Sequence, residues 1–262
     1  MLELFLSLII FIFGLIVGSF LNCVIYRLEV NDSPLKGKSY CPKCKHTLNW
    51  QDLIPVLSFF FLRGKCRYCS QKISWQYPLV EIATGILFLL IFNFQLNPVS
   101  LVEVGFLIFY FIIASLLIII FVYDLKHYII PDRIIYSAIV LVLFYVLLRP
   151  DFFGRSDFFL SAFGAALFFL LLVLITKGKG MGIGDIKLAF FMGLFLGWPN
   201  ILIALFLAFF IGAIIGTGLI ILKKKNLKSE IPFAPFLIFG TFFALFFAEK
   251  ILEWYWYLFL LL

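Results

Sequence analysis

Long apolar segments separated by short polar ones run along almost the whole chain. Eight can be delimited, at 2–26, 78–97, 101–123, 129–148, 157–176, 186–198, 200–222 and 235–262. Most reach the roughly 20 apolar residues that a helix needs to cross a bilayer. The short segment at 186–198 is expected to pack among other helices or to start below the membrane surface. The pattern predicts an all-α integral membrane protein with about eight transmembrane helices.

Composition agrees with a membrane protein. Hydrophobic residues make up 64% of the 262 positions and charged residues only 13%, against about 25% charged in soluble domains. The first segment has neither a basic leading region nor a small-residue cleavage site, and its apolar run is too long for a signal peptide. We expect it to remain as the first transmembrane helix.

The basic residues predict an orientation. Of 21 lysines and arginines, 18 fall in four alternate connections, 27–77, 124–133, 177–187 and 223–230, whereas Arg149, Arg155 and Lys250 lie elsewhere. Because basic loops stay in the cytoplasm, the N-terminus is expected outside and these four connections in the cytoplasm. The net charge of +7 then reflects topology and attraction to membrane lipid, and no basic face for nucleic acid is visible.

Only residues 27–77 are long and polar enough to fold outside the bilayer. They contain two C-x2-C pairs, formed by Cys41, Cys44, Cys66 and Cys69. Two such pairs can bring four thiolates to one tetrahedral ion, and a closed four-sulfur site favours structural zinc. Two disulfides, or iron in the same cage, are the alternatives. Cys23, inside the first apolar segment, is expected to be a small core residue.

Three aspartates fall at the predicted cytoplasmic ends of apolar segments, where a carboxylate is costly. Asp132 follows a proline and opens a helix, so an N-cap explains it. Asp124 ends a helix, where the macrodipole disfavours its charge; a salt bridge to Lys126 or Arg133 is the structural alternative. His127 is interpreted as an interfacial side chain.

Asp185, in "GKGMGIGDIKL", is an N-cap candidate for the sixth segment and equally a catalytic candidate. A phosphate loop is excluded because G-K-[ST] is absent, and a dinucleotide fingerprint because no strand precedes the glycines. Two nearby carboxyl groups in a partly dry site share a proton, so one can act as base and the other as acid. We expect Asp185 to be the ionised partner and Asp124 the protonated one.

Several motifs together resemble the bacterial type IV prepilin peptidases, membrane aspartyl proteases with a GxGD motif. The motifs are "GSFLNCVIYRL" at 18–28, the cysteine pairs, "DLIPVLSFFFLRGKCRYC" at 52–69, "ISWQYPLVE" at 73–81, "DLKHYIIPD" at 124–132, "GIGDIKL" at 182–188 and "PFAPFL" at 232–237. The resemblance implies cleavage of the leader of type IV prepilins or pseudopilins at the cytoplasmic face. It also implies N-methylation of the new terminus with S-adenosylmethionine.

The resemblance also assigns residues. It makes Asp124 and Asp185 the peptidase aspartates and the four cysteines zinc ligands. It implies three parts: a first transmembrane helix at 1–26, a cytoplasmic zinc-binding domain at 27–77 and a membrane aspartyl peptidase domain at 78–262.

Candidates for the S-adenosylmethionine site are small or polar residues within these motifs: Gly18, Asn22, Arg27, Arg63 and Glu81. The alternatives are helix packing for Gly18, interfacial anchoring for the arginines, and pairing with a loop arginine for Glu81.

Two other classes of function remain open at this point. An ion- or proton-coupled transporter would need acidic residues near mid-membrane and internal repeats. A noncatalytic zinc-bearing membrane scaffold would tolerate loss of both aspartates.

Overall fold

The computed structural model describes residues 2–33, 37–95, 101–148, 156–178, 180–222 and 231–260. Several basic residues used to predict the orientation lie outside these ranges, namely Lys36, Arg149, Arg155, Lys179 and those of 223–230. The chain divides into two compact units, Met1–Ile119 and Ile120–Leu262.

The first unit is built on long helices and a loop between them. Helix α1 spans Leu2–Glu29 and α3 spans Gln76–Gln95, while α4, Leu101–His127, begins in this unit and ends in the second. The loop contains a 3-10 helix, Trp50–Leu53, and the short helix α2, Leu57–Phe61.

The second unit adds five helices after the end of α4. They are α5 (Asp132–Leu148), α6 (Asp157–Thr176), α7 (Ile183–Leu196), α8 (Asn200–Ile221) and α9 (Ala234–Leu260). Helix α7 packs against α5, α6, α8 and α9, and most of its side chains are buried.

These helices confirm the predicted all-α class, since the described ranges contain only two isolated β-bridges and no strand. Each of the eight apolar segments contains a helix close to its predicted bounds. Six of those helices are long and apolar enough to cross a membrane. Helices α5 and α7, with 17 and 14 residues, are shorter, so the prediction of eight spans is not supported. The burial of α7 confirms that the short segment packs among other helices.

Small residues allow close helix packing within each unit. A Cβ added to Gly14 of α1 would lie 2.7 Å from Gly85 Cα of α3. A Cβ added to Gly193 of α7 would overlap the backbone of Ser161 and Ala162 in α6. Such small-residue contacts bring backbones together where lipid provides no hydrophobic drive between helices.

Candidate active site and metal centre

Asp185 lies in the first turn of α7 and is not its N-cap, because the N-cap residue comes three positions earlier. Gly182 is the N-cap residue, and its N–H donates to Asp185 Oδ2 over 3.0 Å. This is the acidic half of a capping box, in which a side chain in the first turn reaches back to the cap. The helix N-terminus favours the negative charge, and Asp185 is only 9% exposed.

The glycine before Asp185 lets this turn approach the loop between α4 and α5. A Cβ added to Gly184 would lie 3.1 Å from Ile130 Cβ, and Ile130 is itself buried. The close approach fixes the start of α7 against the segment that follows Asp124. A larger side chain at 184 would have to displace Ile130.

Asp124 lies in the last turn of α4 and is 5% exposed. The backbone N–H of Ala234, the first residue of α9, is within hydrogen-bonding reach of its carboxyl group. Its unfavourable position on its own helix is therefore offset by the positive end of another helix dipole. Its Oδ2 is buried without a hydrogen-bond partner among the described residues.

Asp124 and Asp185 belong to the same unit and lie close enough for their charges to repel each other. Both are buried, and each faces a backbone N–H at the start of a helix. A state in which both buried carboxyl groups are ionised is therefore disfavoured. The arrangement is able to carry out paired acid and base chemistry.

Asp132, the third predicted aspartate, has a different role. Its Oδ1 accepts a 2.6 Å hydrogen bond from Lys187 Nζ, and its side chain is 65% exposed. The same ammonium group lies 4.9 Å from the centre of the Tyr136 ring. This contact ties α5 to α7 two residues after Asp185. Asp132 is the first residue of α5 and not its N-cap, since Ile135 N–H donates to Pro131 O, and the sequence did not predict the ion pair.

The four cysteines of the loop form one cluster. The Sγ atoms of Cys41, Cys44, Cys66 and Cys69 all lie within 4.8 Å of one another, and those of Cys41 and Cys69 are 4.0 Å apart. All four are free thiols, which argues against two disulfides. Tetrahedral zinc with Zn–S bonds of about 2.3 Å needs sulfurs about 3.8 Å apart. The cluster therefore has the size and donor set of a metal site.

The two cysteine pairs have matching backbone turns. Cys41 N–H donates to His46 O over 2.9 Å, and Cys66 N–H donates to Gln71 O over 2.8 Å. Lys45 and Ser70, each one residue after the second cysteine, both have positive φ, 59° and 57°. Each pair is thus a knuckle whose turn holds both sulfurs on one side.

Backbone N–H groups also stabilise the thiolate of Cys41. Burial opposes ionisation of Cys41, but the N–H groups of Cys44 and Lys43 stabilise the anion and lower the pKa of Cys41 to about 7. Although the Gln71 N–H stabilises the Cys69 thiolate, partial burial and the neighbouring thiols raise the pKa of Cys69 to about 11. The backbone donors therefore favour a thiolate at Cys41, and a metal that binds all four sulfurs would have to displace the remaining protons.

Asp52 links the two knuckles. Its Oδ1 accepts from Arg67 Nε over 2.7 Å, and its Oδ2 accepts from Tyr68 Oη over 2.9 Å and from Asn49 N–H over 3.1 Å. Burial alone would raise the pKa of Asp52, but these hydrogen bonds hold it below its ordinary value. The sequence did not predict this network, because nothing in the local pattern pairs Asp52 with Arg67 and Tyr68, which are 15 and 16 positions away.

The structure brings three of the five cofactor candidates together on the contact between α1 and α3. A Cβ on Gly18 would lie 2.7 Å from Glu81 Cα, and Asn22 Nδ2 donates to Tyr77 O over 3.0 Å. Glu81 is buried and accepts from Val56 N–H over 2.7 Å. The close approach at Gly18 is the helix packing that was its alternative.

The two arginine candidates lie in different surroundings. Arg27 is 3% exposed, and its guanidinium donates to the carbonyls of Gly37 and Lys38, both over 3.1 Å. Interfacial anchoring does not describe this buried side chain, which holds the loop after α1. Arg63 is exposed after α2.

Two known family profiles match this chain. Residues 12–94 match the profile of the Bacterial Peptidase A24 N-terminal domain, and residues 111–217 match the Type IV leader peptidase family. A prepilin leader peptidase/N-methyltransferase of Bacillus subtilis is 34% identical, over 94% of this chain and 96% of the relative. The chain belongs to the type IV leader peptidase family.

Other relatives carry the same name. The prepilin leader peptidase/N-methyltransferase of Aeromonas salmonicida is 32% identical, over 94% of this chain and 92% of its own. That of Legionella pneumophila is also 32% identical, over 96% and 94%. No solved structure matches the chain. The resemblance seen in the sequence is confirmed, and the protein is a multi-pass membrane enzyme of the peptidase and methyltransferase class.

Proposed function

We propose that this enzyme removes the leader peptide of type IV prepilins or pseudopilins with Asp124 and Asp185 and then N-methylates the new terminus. The observation that carries the proposal is the pair of buried carboxyl groups in one unit, each facing the start of a helix. Family membership supplies the substrate class, because the relatives are prepilin leader peptidases and N-methyltransferases.

Asp185 acts as the base and Asp124 as the acid. The hydrogen bond from Gly182 N–H and the N-terminus of α7 favour an ionised Asp185, which can take a proton from the attacking water. The Asp124 Oδ2, with no hydrogen-bond partner among the described residues, is available to hold a proton and donate it to the scissile carbonyl. Because the carboxyl groups interact, the pair titrates as a unit.

The four-cysteine cluster holds structural Zn²⁺ and leaves no ligand position for water. Its thiolates bind the ion, and the Asp52 hydrogen bonds keep the knuckles aligned. The ion fixes a loop of about 50 residues that a small apolar core alone would hold poorly.

The methyl donor is S-adenosylmethionine, bound by the first unit near the buried polar groups of α1 and α3. Asn22, Arg27 and Glu81 are all at most 6% exposed. Gly18 and Arg63 complete the candidate set. This assignment and the division into 1–26, 27–77 and 78–262 remain predictions.

The proposed orientation puts both sites at the cytoplasmic face of the inner membrane, with the N-terminus outside. The skewed placement of basic residues supports it. Asp124 and Asp185 lie in terminal turns of their helices, whereas a transporter relay would be expected near mid-membrane.

The test incubates the purified full-length protein in detergent with a synthetic prepilin, with and without S-adenosylmethionine, and follows both products by mass. Wild type should release the leader in both reactions and add a methyl group only with the donor. Asp124→Asn and Asp185→Asn should lose cleavage yet still methylate a pre-cleaved peptide, since the methyl-transfer candidates lie in the other unit. Failure of wild type to cleave, or full cleavage by either variant, would reject the peptidase assignment.

A further inference from the structure

Helix α2 exposes an apolar face, although the sequence predicts that its loop folds outside the bilayer. Leu57, Phe60 and Phe61 are 55%, 57% and 83% exposed. Their spacing of three and four residues puts them on one side of the helix. Phe59, on the other side, is buried. An exposed cluster of this kind marks an interaction surface.

Aromatic contacts fix the position of α2 along the neighbouring membrane helix. The ring of Trp75 lies 4.8 Å from that of Phe59 and 6.4 Å from that of Phe60. Trp75 immediately precedes α3, and its carbonyl accepts from Leu79 N–H over 3.2 Å. Since α3 is one of the six helices able to span a membrane, α2 lies level with the first turn of a membrane helix.

The apolar face continues onto surface that must meet lipid. Trp75 and Leu79 are 61% and 60% exposed at the start of α3. Tryptophan is enriched where a membrane helix meets the headgroups. A surface at this depth and next to a lipid-facing turn has the bilayer as its nearest apolar neighbour.

The positive charge next to α2 also suits a membrane surface. Arg63 and Lys65 follow the helix directly and are exposed. Basic side chains beside an inserted apolar face are attracted to anionic headgroups. An apolar protein segment would give these cations no such counter-charge.

We propose that α2 is an interfacial membrane anchor: Leu57, Phe60 and Phe61 enter the boundary between headgroups and acyl chains, and Arg63 and Lys65 face anionic headgroups. The partner is the lipid surface, and the loop carrying the cysteine knuckles is attached to the bilayer between α1 and α3. This inference does not rest on the peptidase assignment, and it assigns to lipid the Arg63 that is also a candidate for the S-adenosylmethionine site.

The test places the photocrosslinking amino acid p-benzoylphenylalanine at position 61 in the full-length protein in lipid nanodiscs. The matched control places it at Gln71, an exposed residue of the second knuckle. Both proteins must keep the Tm of wild type. After irradiation, mass spectrometry should find lipid adducts at position 61 and none above background at position 71.

Two further arms distinguish the alternatives. Replacing part of the phosphatidylcholine by phosphatidylglycerol should raise the adduct yield at position 61, and an excess of synthetic prepilin should leave it unchanged. Adducts to the prepilin instead of lipid would show a peptide-binding surface and overturn the proposal. Equal lipid labelling at positions 61 and 71 would also overturn it, and a yield indifferent to phosphatidylglycerol would remove the role given to the cations.

Discussion

Replacing Asp52 by alanine should weaken metal binding by the loop although Asp52 is no ligand. The change removes three hydrogen bonds, from Arg67, Tyr68 and Asn49. Asn49 follows the first knuckle, whereas Arg67 and Tyr68 lie between the cysteines of the second. Without Asp52 the two knuckles lose a direct link, and the four sulfurs must be brought together at greater cost.

The size of the expected loss in metal affinity follows from how exposed each hydrogen-bond partner of Asp52 is. The Asp52 side chain is 3% exposed but Arg67 is 47% exposed, so that ion pair contributes only about 1 kcal/mol at most. The hydrogen bonds from Tyr68 and Asn49 add about 1 kcal/mol each. A total of about 2–3 kcal/mol corresponds to roughly 30- to 150-fold in metal affinity. Loss of a residue that supports the ligands without binding the metal typically lowers metal affinity by about 10- to 100-fold.

The assay is competition for Zn²⁺ between the purified protein and a chromophoric chelator at neutral pH. Asp52→Asn, which keeps an acceptor oxygen but loses the charge, should fall between wild type and Asp52→Ala. Asp32→Ala is the matched control, since Asp32 also accepts from a tyrosine of the loop, Tyr40, but is exposed. An affinity of Asp52→Ala equal to that of wild type and Asp32→Ala would refute the reasoning.

Three further predictions concern stability, measured as the Tm in detergent. Gly193→Val should lower the free energy of unfolding by about 1–3 kcal/mol or more, because the larger side chain overpacks against α6. The control, Gly164→Val, should change it little, since nothing lies within 4 Å of a Cβ added there. Equal effects of the two changes would contradict the packing. Lys187→Met should cost at most about 1 kcal/mol because Asp132 is 65% exposed, and Lys187→Arg should restore the Tm; a drop that arginine cannot rescue would argue against the ion pair. Because the pKa of Asp52 is held below its ordinary value, the stability that its ionised form adds is present above about pH 4 and is lost as pH falls further. The difference in Tm between wild type and Asp52→Asn should therefore close at low pH. A difference that widens there would contradict the lowered pKa.

The long apolar segments predicted the helices well, because a chain that crosses a bilayer must be apolar and must pair its backbone groups internally. It overcounted the spans because a buried short helix such as α7 is as apolar as a membrane helix. Cysteine spacing likewise predicted the four-sulfur cluster, since each knuckle is set by local turns.

What the sequence could not predict depends on contacts between distant segments. Asp124 was unexplained because its carboxyl group is balanced by the first residue of α9, 110 positions later. Lys187 was overlooked because its partner, Asp132, had a sufficient local explanation as a cap. The apolar face of α2 was hidden inside a loop whose average composition is polar.

The central claim is that Asp124 and Asp185 together cleave the leader, and the most direct measurement is the single-turnover cleavage rate of three asparagine variants. Asp124→Asn and Asp185→Asn should each lose at least about 100-fold, the usual contribution of a general acid or base. Asp132→Asn, an exposed aspartate of the same unit, should stay close to wild type, with all three variants folded by Tm. Wild-type rates for Asp124→Asn or Asp185→Asn would contradict the account.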